Sequence, residues 1–235
     1  MKTTTTKLIL GLILTSALIG AASTARAEII GGIDFPQGAL SFADAVVSYA
    51  PFSDGPSIPD PRWMVPADAL GTPNYTPPAP QATTHNEGQF VSLGNGGFLT
   101  LQFINNRLTG SGNAGHDLYI FEVGPEVEKT HIWISQNNID WLYVGFVAGA
   151  TGGIDIDPVL TAESLPYTTQ FAYVRLQDDA AQYPDTDRYG FYAGADIDAV
   201  GAISSTIPEP ATLVLMGVAG TILVVRRRQA RKNTL

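Results

Sequence analysis

Apolar residues in the central part of the chain occur in short stretches, often at every second position. A period of two sends successive side chains to opposite faces and is typical of a half-buried β-strand. The segment 39–50 fits either a strand or a short helix, and no long amphipathic helix is predicted. The pattern predicts strands within residues 118–123, 130–136, 141–147, 171–177 and 197–203.

Turn residues separate the predicted strands. Residues 89–103 predict a β-hairpin, because two apolar runs flank the turn 94–97, Gly-Asn-Gly-Gly. Short strands joined by such turns predict an all-β fold, a single two-sheet β-sandwich. Residues 51–88 contain nine prolines, which exclude long strands. We interpret this stretch as an extended, partly polyproline-like surface connection that packs irregularly, with a binding rim as the alternative.

The N-terminal end has the pattern of a secretory signal peptide, predicted over residues 1–27. Lys2 and Lys7 precede an apolar run over residues 8–22, and Ala25-Arg26-Ala27 matches the small-x-small cleavage pattern. An uncleaved first transmembrane helix is the alternative. The shortness of the apolar run and the cleavage pattern after it favour the signal peptide. The predicted β-sandwich domain therefore covers residues 28–206.

The C-terminal segment, residues 207–235, combines a proline pair, an apolar run and a basic end. A helix is predicted over residues 211–225, and a basic tail follows over residues 226–232. Fifteen residues make a helix of about 22 Å, somewhat shorter than the bilayer core of about 30 Å. The cations after the helix favour a cytoplasmic end. A permanent membrane anchor is one interpretation of this arrangement.

The order of these three parts resembles the PEP-CTERM sorting tail of bacterial surface proteins. The resemblance implies that an exosortase-type enzyme recognises and cuts the tail after a transient membrane stage. The protein is then expected at the cell surface or in the extracellular matrix. The sorting signal implied by the resemblance comprises Pro208, Glu209, Pro210, Arg226, Arg227 and Arg228.

The predicted domain is strongly acidic. Residues 28–206 carry 21 acidic and five basic side chains, a net charge of −16, whereas the whole chain has a net charge of −9. Such a surface repels nucleic acid, whose binding requires a basic face, and it attracts cations. The chain has no cysteine, so a metal ion is the remaining cross-link for an exported domain. The alternative is that the acidic charge serves only to keep the domain soluble.

Four segments in the predicted domain carry a second resemblance. Residues 115–122, 132–141, 173–178 and 194–200 follow the order G-x-D-x-x-V-F-E, V-S-x-D-G-x-x-W, V-x-x-x-D and G-x-D-x-D-A-V. The set is similar to a family of bacterial cell-surface β-domains of the jelly-roll, galactose-binding-like type. The chain departs from the pattern at Asn137-Asn138, where the family has Asp-Gly, and at Val123, where it has Asn.

Carboxylates in these segments are candidate calcium ligands, since calcium takes six to eight oxygen ligands. Asp196 and Asp198 lie two apart, so a strand directs both to one face. Exposed acids and strand-end caps are the alternative interpretation, and the pairs Asp155–Asp157 and Asp185–Asp187 are looser candidates. Secreted jelly rolls often hold calcium where the first and last strands meet, which makes Asp44, Asp196 and Asp198 one candidate group and adds Asp117, Glu122 and Asp178.

The sequence predicts a structural or adhesive surface protein linked to exopolysaccharide, and not an enzyme. A carbohydrate-binding module is the first alternative, and a glycoside hydrolase the second. Trp63, in the proline-rich stretch, is the candidate ligand contact. Trp133 and Trp141 lie on apolar strands and are expected in the core.

Export is expected to remove the signal peptide before Glu28. N-terminal sequencing of the protein recovered from outside the cells should therefore begin at or near Glu28. Exported protein that still begins at Met1 would contradict the signal peptide.

Overall fold

The computed structural model describes residues 25–52, 58–78, 87–124, 128–148, 151–180 and 194–208. Most of the predicted signal peptide and the predicted helix 211–225 lie outside these ranges. Within them no helix is long and apolar enough to cross a membrane. The strands are β1 (Glu28–Ile30), β2 (Ile33–Phe35), β3 (Ala45–Ala50), β4 (Val91–Ser92), β5 (Phe98–Gln102), β6 (Arg107–Leu108), β7 (Leu118–Glu122), β8 (Lys129–Ser135), β9 (Leu142–Ala148), β10 (Thr151–Ile154), β11 (Tyr173–Asp178), β12 (Asp196–Ala202) and β13 (Ser205–Thr206).

Two larger antiparallel sheets form the fold. One has the strand order β10-β7-β12-β4 and the other the order β3-β5-β11-β8-β9. Two small sheets pair β1 with β2 and β13 with β6. The single α-helix of the described residues, α1 (Asp157–Ala162), has six residues and is less than two turns long. The predicted all-β class is confirmed, and five of the predicted strands correspond to β7, β8, β9, β11 and β12.

One apolar cluster joins the two larger sheets. The four-stranded sheet contributes Leu118 and Ile120, and the five-stranded sheet contributes Leu101 and Ile132, all fully buried. Burying one such side chain stabilises a fold by about 1.5–3 kcal/mol. The sheets therefore face each other across a shared core, and every strand in them has a side directed inward and a side directed outward.

The predicted hairpin over residues 89–103 is wrong. Strand β4 pairs with β12, whereas β5 pairs with β3 and β11, so the turn leads from one sheet to the other. Leu93 and Leu99, on the two sides of the turn, are both fully buried in the shared core. A Gly-Asn-Gly-Gly turn is a local signal, and the burial of both runs between facing sheets outweighs it.

A second apolar cluster covers the outer side of the four-stranded sheet. Phe35 of β2 and Phe42 pack on Phe121 and Ala199 of the sheet, and the two ring centroids of Phe35 and Phe42 lie 4.7 Å apart. Gly201 is needed beneath them, because a Cβ atom there would lie 2.6 Å from the Phe35 ring. The N-terminal strands therefore close this side of the sheet.

The proline-rich connection packs irregularly where the structure describes it. It forms 3-10 helices at Pro61–Trp63 and Pro66–Ala69, and Trp63 and Ala69 are fully buried. The ambiguous segment 39–50 divides into a 3-10 helix, Gly38–Ser41, and strand β3. Residues 58–78 thus combine an irregular backbone with a few buried side chains.

Candidate functional site

The outer side of the five-stranded sheet carries a group of aromatic side chains, here named the aromatic face: His131, Trp133, Tyr143 and Phe146. Strands β8 and β9 place them in two rows, because His131 is opposite Phe146 and Trp133 is opposite Tyr143. Their neighbours in β8, Ile132 and Ile134, point into the core. The alternation of β8 therefore produces an apolar inner side and an aromatic outer side.

The rings of the aromatic face are in mutual contact. The ring centroids of Trp133 and Tyr143 lie 5.0 Å apart, and His131 lies 5.8 Å from Tyr143 and 6.0 Å from Phe146. Tyr143 and Phe146 remain 43 % and 52 % exposed. A 2.8 Å hydrogen bond joins the Tyr143 hydroxyl to Nδ1 of His131. These contacts hold the rings as one surface.

Polar side chains border this face. A surface pocket of about 540 Å³ lies beside it, lined by Gly96, His131, Trp133, Tyr143, Gln177, Asp178, Asp179 and Ala180. Gln177 donates from Nε2 to the Gly96 carbonyl over 3.1 Å. Asp179 lies 3.0 Å from the Lys129 ammonium and 3.4 Å from Nε2 of His131. The pocket thus combines aromatic walls with amide and carboxylate groups.

The tryptophans occupy other places than the sequence predicts. Trp63, the predicted ligand contact, is fully buried and stacks on Phe90, with centroids 6.3 Å apart, so its indole ring is not exposed to a ligand. Trp133 and Trp141, predicted in the core, are only partly buried. Trp141 lies beneath the Arg175 guanidinium at 4.2 Å. The prolines around Trp63 suggested a surface position, but the connection folds inward.

Two of the six predicted calcium ligands, Asp44 and Asp198, hold connecting segments through backbone amides. Asp44 accepts hydrogen bonds from the amides of Ile104 at 2.7 Å and Asn105 at 3.1 Å. Asp198 accepts from the amides of Asn74 at 3.0 Å and Tyr75 at 3.2 Å. Each of these carboxylates fastens a connecting segment to a strand. No described group of three acids close enough to share an ion includes either one.

Three other predicted ligands, Glu122, Asp178 and Asp196, interact electrostatically at one edge of the fold. Burial, then the charges of Glu128, Asp196 and Asp178, raise the pKa of Glu122 to about 10. Asp178 accepts from the amides of Gly96 and Ala195, and Asp196 accepts from the Ser92 hydroxyl. A side-chain hydrogen bond with Glu128 also favours the protonated form of Glu122. These contacts predict a neutral Glu122 at pH 7.

The sixth predicted ligand, Asp117, belongs to a different group. Its carboxylate lies with those of Asp155 and Asp157, and one oxygen from each is within 4.8 Å of the others. Burial is the main cause that raises the pKa of Asp117 to about 6, and the charges of Asp157 and Asp155 add to it. From the sequence alone, Asp155 and Asp157 are only a looser candidate pair. The pairing of β10 with β7 brings them to Asp117.

The comparisons with known proteins concern the C-terminal end. Residues 206–229 match the model of the PEP-CTERM protein-sorting motif. None of the curated proteins compared with the chain matches it. The motif supports a secreted surface protein and implies processing by exosortase, a membrane enzyme.

The PEP-CTERM motif generates a sorting prediction. Replacing Pro208, Glu209 and Pro210 by alanine leaves the apolar run and basic tail intact, so we expect the variant to reach the membrane and remain uncut there. Immunoblots of membrane and exported fractions measure this. Leu235→Ala, outside the matched segment, is the control and should be cut normally. Normal cutting of the triple variant would show that hydrophobicity and the basic end suffice.

The buried carboxyl of Glu122 generates a pH prediction. Because its pKa rises from 4.5 to about 10 on folding, the folded protein keeps a proton that the unfolded chain loses above about pH 4.5. Stability therefore falls as the pH rises between these values. Glu122→Gln cannot ionise, so it should be more stable than the wild type by roughly 1–3 kcal/mol at pH 8 and much closer to it at pH 5.

Denaturant titrations at the two pH values measure this difference. Glu163→Gln removes an exposed carboxyl at the end of α1, and it should follow the wild type at both. Equal pH slopes for Glu122→Gln and the wild type would mean that Glu122 is ionised in the folded protein.

Proposed function

We propose that the protein is a polysaccharide-binding module with a structural or adhesive role at the cell surface or in an exopolysaccharide matrix. The observation that carries the proposal is the aromatic face, which sits on a rigid sheet beside a polar pocket. The PEP-CTERM motif supports display outside the cell. The two facing sheets are in keeping with a jelly-roll, galactose-binding-like domain, and that finer fold assignment stays part of the proposal.

Aromatic rings suit the apolar C–H face of a sugar ring. Tyr143 and Phe146 are about half exposed, and the contacts among the rings hold them in place before a ligand arrives. Rings that are already ordered lose little conformational entropy on binding. The hydroxyl of Tyr143 can form a further hydrogen bond besides the one to His131, so it provides a polar contact next to the apolar surface. The aromatic face would therefore hold a sugar ring by stacking.

Polar groups at the pocket would select the orientation of the sugar. The Gln177 amide is fixed by its bond to Gly96, which leaves its oxygen directed away from that bond as an acceptor for a sugar hydroxyl. Asp179 is held between Lys129 and His131. Hydrogen bonds from fixed groups discriminate among ligands more strongly than hydrogen bonds from mobile groups. The pocket thus favours a hydroxyl-rich ligand.

Charge favours a neutral polysaccharide over an acidic one. Residues 28–206 have a net charge of −16, and Asp178 and Asp179 lie at the pocket itself. An anionic polymer would be repelled by this field. The proposed ligand is therefore a neutral glycan.

Binding rather than hydrolysis is proposed, because both carboxylates at the pocket already have partners. Asp178 accepts hydrogen bonds from two backbone amides, and Asp179 pairs with Lys129 and His131. A glycoside hydrolase needs one carboxyl as an acid and a second as a base or nucleophile. Groups engaged in this way are poorly suited to those roles.

The proposal predicts that truncating the aromatic face abolishes most glycan binding. Trp133→Ala and Tyr143→Ala should each weaken binding by about tenfold or more, the usual effect of removing a central aromatic contact. The measurement is affinity electrophoresis in gels containing a soluble neutral glucan, a neutral galactan or acidic alginate, with pull-down on cellulose and chitin. Retardation by a neutral polymer, and not by alginate, is expected for the wild type.

Tyr167→Ala is the matched control, since Tyr167 is 55 % exposed and lies at another pocket. It should bind like the wild type. Circular dichroism checks that each variant is folded. Unchanged affinity in both folded aromatic-face variants would refute the proposed site, and wild-type protein that binds none of the polymers would refute the proposed function.

A further inference from the structure

We propose that Asp117, Asp155 and Asp157 form a calcium site that ties β7 to the connection between β10 and α1. This inference does not rest on the proposed function. It assigns the ion to a different place from the group Asp44, Asp196 and Asp198 that the sequence suggests.

Strand pairing assembles the three carboxylates. Asp117 directly precedes β7, Asp155 follows β10, and Asp157 is the first residue of α1. Ile154 at the end of β10 is opposite Leu118 at the start of β7. The amide of Asp117 also donates to the Ile154 carbonyl over 2.9 Å. Residues far apart in sequence therefore meet at one corner of the four-stranded sheet.

One oxygen of each carboxylate accepts a hydrogen bond from a backbone amide, and the second oxygen does not. Oδ2 of Asp117 accepts from the Ile156 amide at 3.0 Å, and Oδ1 of Asp155 accepts from the Asp157 amide at 2.9 Å. Oδ2 of Asp157 accepts from the Gly112 amide. These bonds fix the three side chains in orientation. The group therefore offers one carboxylate oxygen from each residue, and these three oxygens lie within 4.8 Å of one another.

Two of the second oxygens are buried without a hydrogen-bond partner. They are Oδ1 of Asp117, a fully buried residue, and Oδ1 of Asp157. A buried carboxylate oxygen without a partner is costly. The ion pairs of the described residues join Arg62, Lys129 and His131 to other acids, and none includes Asp117, Asp155 or Asp157. A bound cation would supply the missing counter-charge.

The donor set suits calcium. All three groups are carboxylates, the hard oxygen ligands that calcium and magnesium prefer, whereas zinc and copper sites are usually built with imidazole or thiolate ligands. Calcium also accepts irregular geometry and further carbonyl or water oxygens, while magnesium demands a near-octahedral shell. Gly110 lets its loop approach the site, because a Cβ atom there would lie 1.9 Å from Oδ1 of Asp157.

Calcium titration of the exported protein tests the inference directly. Isothermal titration calorimetry should detect calcium binding in protein stripped with chelator. At free calcium about 100 times the dissociation constant, the melting midpoint should rise by about 5–10 °C. Magnesium at the same concentration should give a smaller rise.

The variants Asp155→Asn and Asp157→Asn keep the amide-accepting oxygen but lose the charge, so both should bind calcium at least about tenfold more weakly. Asp34→Asn, which removes an exposed acid in β2, is the matched control and should bind normally. Absence of calcium heat and of a midpoint shift in folded wild-type protein would overturn the site. Wild-type affinity in both variants would also overturn it, and a magnesium shift as large as that of calcium would overturn the assignment to calcium.

Discussion

The apolar layer between the two larger sheets sets the direction of the side chains on which the proposed binding depends. Ile132 and Ile134 must point inward to fill that layer, and the pleat of β8 then directs His131 and Trp133 outward. Strand β9 places Tyr143 and Phe146 outside and Val144 and Val147 inside, because a β-bulge shifts its register against β8 between these positions. The core is thus the reason that aromatic rings from two strands meet on one outer surface. The four-stranded sheet has no such surface at Phe121 and Ala199, because β1 and β2 cover it there.

Periodicity predicted much of this arrangement, and local turn signals predicted less. Strands β7, β8, β9, β11 and β12 follow from their apolar patterns, since the pattern records which face is buried. The hairpin over residues 89–103 fails because pairing partners depend on contacts distant in sequence. The apolar surroundings of Trp133 predict a position in the core. Its alternation with Ile132 and Ile134, which face the core, instead predicts an outward position. Trp63 is buried for a reason absent from its local sequence, its stacking on Phe90.

The contacts of the acidic residues are equally difficult to predict from the local sequence. Composition indicates an excess of carboxylates, but the partners of each carboxylate come from topology. Asp44 and Asp198 fasten connecting segments through backbone amides. Asp117 meets Asp155 and Asp157 only because β10 returns alongside β7. The D-x-D spacing of Asp155 and Asp157 is visible in the sequence, but the sequence does not show that Asp117 lies beside them.

Nuclear magnetic resonance of the three tryptophan indole N–H groups during titration with a neutral oligosaccharide tests the central claim most directly. Trp63 is fully buried and Trp133 lies on the aromatic face, so the protein contains its own internal control. We expect the Trp133 signal to shift in proportion to the bound fraction, while the Trp63 signal stays in place. A titration that displaces Trp63 but not Trp133, or that shifts neither signal at concentrations where the glycan binds, would contradict binding at the aromatic face.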